Sequence, residues 1–149
     1  MNFKDSVHAH YQKILEDKIG MLENSLLELK EMGANESKST AGDKHETALA
    51  MIQIEQDQLR NQLQDTISDL KIVQLLPREA KLDCIAPGSL MKTDVGYYYL
   101  SLALGKAIIM DNQVIALSNH SPLGKEFIGK RVNDIVEVNG RKYKIEAIQ

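Results

Sequence analysis

The chain has 149 residues, a formal net charge of -3, 43% hydrophobic and 26% charged residues, one cysteine and no tryptophan. That balance is ordinary for a folded globular protein, and a lone Cys84 excludes the secreted, disulfide-stapled class. No apolar run approaches the roughly 18 to 20 residues of a membrane span, residues 1–11 carry Asp5 and lack a signal-peptide core, and the negative charge argues against a generic basic nucleic-acid binder; the expectation is a cytoplasmic protein with no membrane partner.

Taken in chain order, residues 1–77 predict a pair of long helices. Leu15, Ile19, Leu22, Leu26 and Leu29 recur at spacings of three and four, an a/d seam that weakens toward Gln12 and His8. A second seam runs through Leu49, Ile52, Gln56, Leu59, Leu63, Thr66, Leu70 and Val73. Each segment is about 30 residues, or about 45 Å at 1.5 Å per residue. Residues 33–42, rich in Gly, Ser and Asn, separate them. The expectation is an antiparallel coiled-coil hairpin with its tip loop near 33–46, closing at Pro77, where a helix should stop. One hairpin has a thin core, so its base must pack on something.

Residues 78–149 predict a small sheet domain. Strands are expected over 81–85, 95–104, 107–110, 113–118, 135–138 and 142–147. Asp111-Asn112 and Asn139-Gly140 read as two-residue hairpin turns, because these residues tolerate positive φ. Tyr97, Tyr98 and Tyr99 alternate across one strand, so at least one belongs to a core. Ser121 and Pro122 read as the cap and first turn of the one short helix, 121–128. Cys84 reads as an inert, buried thiol in a strand. The fold class is α+β: a coiled-coil hairpin, then an antiparallel sheet with one short helix. Charge divides with the fold. The first 77 residues hold 8 Lys+Arg against 13 Asp+Glu, a net of -5, and the remainder hold 10 against 8, a net of +2.

The run Ser121-Pro122-Leu123-Gly124-Lys125-Glu126-Phe127-Ile128-Gly129-Lys130, continued through Val136 to Ile145, resembles the C-terminal domain of the bacterial GreA/GreB transcript-cleavage factors. Gly42-Asp43-Lys44-His45-Glu46 has that family's Gly-Asp-x-x-Glu spacing at the start of the second helix, and the order of hairpin then sheet agrees over almost the whole chain. The resemblance implies an FKBP-like sheet domain and a partner, bacterial RNA polymerase, with any nucleic acid met through that complex. It implies that the hairpin enters the secondary channel. There Asp43 and Glu46 would help the polymerase hold a Mg2+ ion and a water that cleaves the 3′ end of backtracked RNA. The factor alone would be no enzyme and would carry no cofactor. It also makes Ser121, Pro122, Leu123 and Lys125 candidates for docking on the polymerase. Three departures stand out. Thr47-Ala48-Leu49-Ala50 replaces the family's Asn-Ala-Glu-Tyr and keeps only the Ala, Lys44 stands where an apolar residue is usual after the tip Asp, and the hairpin is acidic where the family often carries a basic patch.

Each residue also has a simpler reading. Asp43 with Glu46 three residues later is a capping box, favoured by the helix dipole. Capping and metal holding are compatible, since a capping carboxylate keeps a free oxygen. His45 reads as a solvated tip residue. Lys130, Arg131, Arg141, Lys142 and Lys144 make either a solvated face or a contact for acidic protein surface. The residues also admit three other classes: a non-cleaving channel regulator in the manner of DksA or Rnk, an FKBP-like prolyl isomerase or chaperone, and a coiled-coil scaffold. The isomerase ranks low, because such pockets are lined by aromatics and residues 78–149 offer only Phe127 and four tyrosines.

Overall fold

A computed structural model describes residues 2–37, 43–78 and 83–149. Helix α1 (Phe3–Ser37) and helix α2 (Asp43–Gln74) form a long helical hairpin. Strands β1 (Leu90–Thr93), β2 (Gly96–Ser101), β3 (Gly105–Ile109) and β4 (Asn112–Ser118) follow, then helix α3 (Pro122–Phe127) and strands β5 (Ile135–Val138) and β6 (Arg141–Ile148). The class is α+β, as the pattern predicts. Two compact units result: Met1–Gln12 with Ile72–Gln149, and Lys13–Lys71.

Within the Lys13–Lys71 unit, Leu15, Leu22 and Leu29 are buried, and Ile19 and Leu26 are half-buried. From α2, Leu49, Ile52, Gln56, Leu59, Leu63 and Leu70 are half-buried and Thr66 is buried, so the heptad register holds. Thr66 is tolerated because its Oγ1 donates to the Gln62 carbonyl at 2.7 Å, leaving no bare hydroxyl in the seam. The first helix runs further than the polar composition implies. α1 continues through Gly33 to Ser37, and a methyl at Gly33 would meet Ile52 Cγ2 at 3.8 Å, so the small residue faces the second helix. α2 ends at Gln74, three residues before Pro77.

In the other unit the six strands lie in the order β3-β4-β2-β1-β6-β5. The sheet is mixed, which corrects the expected all-antiparallel arrangement: β2 and β4 run parallel, from Tyr97 opposite Val114 to Ser101 opposite Ser118. The cause is local. The chain leaves β2, crosses the width of one strand in residues 102–104, and returns as edge strand β3, so β4 fills the gap beside β2. Two strand spacings are about 10 Å, within reach of those three linking residues.

Central strand β2 is covered on both faces. Tyr98 and Leu100 pack with Ile85, Met91, Leu117, Phe127, Val136, Tyr143 and Ile145. Tyr99 packs with Val7, Tyr11, Leu90, Ile109, Val114 and Ala116, with Phe3, Leu76 and Tyr97 against them. The first three turns of α1 thus close the second core, and Asn2 caps them, its side chain accepting from Asp5 N at 2.8 Å. The strand expected over 81–85 falls partly outside the described residues. Residues 83–84 are a bend, and Cys84 there is half-buried. Ile85 is held by two backbone hydrogen bonds of 2.8 Å, to Lys130 and from Gly129. Strand β1 was not expected; it makes a hairpin with β2.

Candidate functional site

The turn end of the hairpin is built by the last residues of α1 and the first of α2. Asp43 opens α2, and its side chain lies outside the described residues. Glu46, in the first turn, is exposed. Between them His45 turns back toward α1, its Nδ1 3.6 Å from Glu36 Oε1, with the two side chains 21% and 32% exposed. His45 is therefore half-buried rather than a freely solvated tip residue. At 3.6 Å the pair is an electrostatic contact and not a hydrogen bond, and Nδ1 is buried with no hydrogen-bond partner among the described residues. No group of three His, Cys, Asp or Glu side chains placed to hold a metal occurs among the described residues. A hard cation such as Mg2+ keeps several waters and takes one or two carboxylates from its host. The exposed Glu46 has the right donor chemistry for such a shared site and is too little for a complete one.

The second group of predicted residues sits on α3. Ser121 is its N-cap: Oγ accepts from Gly124 N at 3.1 Å and donates to the Ser118 carbonyl at 2.6 Å. Pro122 occupies the first helical turn. Leu123 is half-buried against the Phe127 core, while Pro122 and Lys125 are exposed. The motif thus has a structural job, and of the four predicted residues only Pro122 and Lys125 are exposed. Of the basic residues, Arg131, Arg141, Lys142 and Lys144 are exposed and Lys130 is half-buried. Arg141 lies over the Tyr143 ring at 5.5 Å.

A third cluster was not anticipated. His8 is 1% exposed, and its Nδ1 is 2.8 Å from Tyr99 Oη. Tyr11 stacks on Tyr99 at 6.2 Å between ring centres and donates its hydroxyl to the Gly105 carbonyl at 2.8 Å. Burial pushes both tyrosines up to about 12. Burial first, and then the nearby Arg78 charge, hold the His8 imidazole below its ordinary value. The signal was present in the register: His8, Leu15, Leu22 and Leu29 are seven apart, so His8 must point inward.

Among the described residues no helix is long and apolar enough to cross a membrane. No family model matches the chain, and no curated protein does. Among solved structures it is similar to one titled "Structure of the transcription factor Gfh1", at 16% identity, covering 92% of each chain, with a TM-score of 0.35.

Proposed function

We propose that this chain is a transcription factor of the Gre-like kind, acting on RNA polymerase through its hairpin. The observation that carries the reading is the order and placement of the two motifs. A hairpin with α2 of 32 residues, about 48 Å long, has Asp43 and the exposed Glu46 at its turn end, and a sheet unit follows that presents Pro122 and Lys125 on a capped helix. In the cleavage-active form of the reading, Asp43 and Glu46 would be the carboxylates lent to a Mg2+ ion shared with the polymerase, and that ion would supply the activation of a water for hydrolysis of the RNA phosphodiester. Ser121, Pro122, Leu123 and Lys125 belong to the docking surface of the sheet unit.

The test is a cleavage assay on stalled, backtracked elongation complexes with Mg2+. Wild type should yield shortened transcripts and Asp43→Asn should not. A second reading, a regulator that occupies the channel without cleaving, is favoured by the Thr47-Ala48-Leu49-Ala50 departure after the tip. Its outcome is no shortened transcript but altered initiation or pausing. Failure to bind purified polymerase at all would sink both.

A further inference from the structure

The hairpin carries a groove that neither motif uses. Near its turn end a hollow of about 570 Å³ is walled by Met32, Glu36, Ala48, Met51, Ile54 and Glu55, among others. A second hollow of about 300 Å³ shares Met32 and Glu55 with it and reaches back to Ser25, Glu28 and Leu29. Together they make one trough between α1 and α2. On α1 it extends from Ser25 to Glu36, about 16 Å at 1.5 Å per residue.

Its floor is apolar and open. Met32, Met51 and Ile54 are 53%, 65% and 58% exposed, which isolated surface residues of a two-helix seam do not require. Met21, eleven residues and three turns before Met32, is 62% exposed on the same stripe. Its rim is of one sign: Glu28, Glu36 and Glu55 line the trough, and no lysine or arginine does among the described residues. The opposite face differs, with Lys30 and Arg60 beside Glu23.

These features select the occupant. A methionine-lined surface adapts to varied apolar partners. A trough three turns long between two helices accepts a third helix by its i, i+4 and i+7 side chains. A carboxylate rim repels nucleic acid and anionic lipid and sets like charge against like if a second copy uses the same face. We infer that the Ser25–Glu36 and Ala48–Gln62 faces of the hairpin form a docking groove for a basic amphipathic helix of about three turns. This goes beyond the polymerase reading and does not rest on it.

The probe is a synthetic 14-residue helix with leucine on one stripe and lysine elsewhere, added to the full chain labelled at its methionine methyls. Saturable shifts at Met32 and Met51, with Met110 and the buried Met91 unmoved, are expected. By fluorescence anisotropy, Glu28→Lys with Glu55→Lys should weaken binding at least tenfold. Glu23→Lys with Asp57→Lys, the same change in charge on the other face, should change it less than twofold. A leucine/glutamate helix should not bind. The proposal is overturned by shifts confined to Met110, by equal weakening from both charge swaps, or by equal binding of the acidic helix. It is overturned as well if no binding is seen, or if the Met32 and Met51 signals depend on protein concentration without peptide.

Discussion

Replacing Gly124 by alanine tests whether the Ser121–Gly124 motif is architecture. A Cβ at Gly124 would overlap the Ser118 carbonyl oxygen and lie 2.9 Å from Ser121 Oγ. Normal contact needs more than 1 Å of movement, and neither neighbour is a flexible tip. The Ser118 carbonyl accepts from Ser121 N at 3.1 Å and from Ser121 Oγ, so displacing it loosens two hydrogen bonds and the N-cap together. Two net hydrogen bonds contribute about 1–3 kcal/mol, and crowding a packed site costs about 1–3 kcal/mol. The helical preference of alanine over glycine returns about 1 kcal/mol. The central expectation is a loss of about 3 kcal/mol, or about 6–12 °C in Tm for a chain of this length. The assay is near-ultraviolet circular dichroism on heating, which reports on the tyrosines; four of the five lie between Tyr97 and Tyr143. The control is Gly129→Ala, where φ is +79° and nothing lies within 4 Å. Only left-handed backbone strain applies there, about 1–2 kcal/mol. A Gly124→Ala protein melting within 1 °C of wild type, or above Gly129→Ala, would refute the reasoning.

Three further outcomes follow from the cores. His8 is held neutral by burial and by Arg78, with Lys4 adding to the effect and Asp5 and Gln12 opposing it. Its folded pKa lies below its unfolded one, so the unfolded chain binds the extra proton, and stability is full above about pH 6.5 and falls as pH drops below it. The slope is at most about 1.4 kcal/mol per pH unit; denaturant melts from pH 8 to 5.5 should show it, and His8→Gln should flatten it. Tyr99→Phe leaves His8 Nδ1 buried without its partner and should cost about 1–3 kcal/mol; a double-mutant cycle with His8→Phe should show that the two losses do not add. Leu22→Ala, at a site 4% exposed, should cost about 2–3 kcal/mol, toward the low end for a core leucine because a two-helix seam collapses easily. Hydrogen exchange should quicken over residues 15–35 and leave β2 and β4 unchanged; faster exchange in the sheet would count against the division into two compact units.

What was legible in the sequence was what neighbouring residues decide. The α2 seam could be read to the residue because a heptad is a local repeat. Asn139-Gly140 was read correctly because both residues take positive φ, 52° and 78°, as a tight hairpin demands. The other turn slipped by one. Met110 and Asp111 hold the positive φ values, and Asn112 already pairs with Ile109 while its side chain donates to the Met110 carbonyl. Turn composition alone could not tell an Asn inside the turn from one that braces it. Strand β1 escaped because Leu90 and Met91 are buried on opposite faces, which erases the alternation by which a half-exposed strand is recognised. An interior place for β2 was partly legible, because Tyr98 and Leu100 pack in one core and Tyr99 in another, but which strand lies beside it depends on the three-residue crossing to β3. His8 makes the same point at the scale of one side chain. Read as a gap in a leucine seam, it merely weakened a helix. Read as an imidazole that the register carries inward, it required a buried polar partner, and tyrosines alternating over 97–99 placed a hydroxyl on each face of the strand that could supply one.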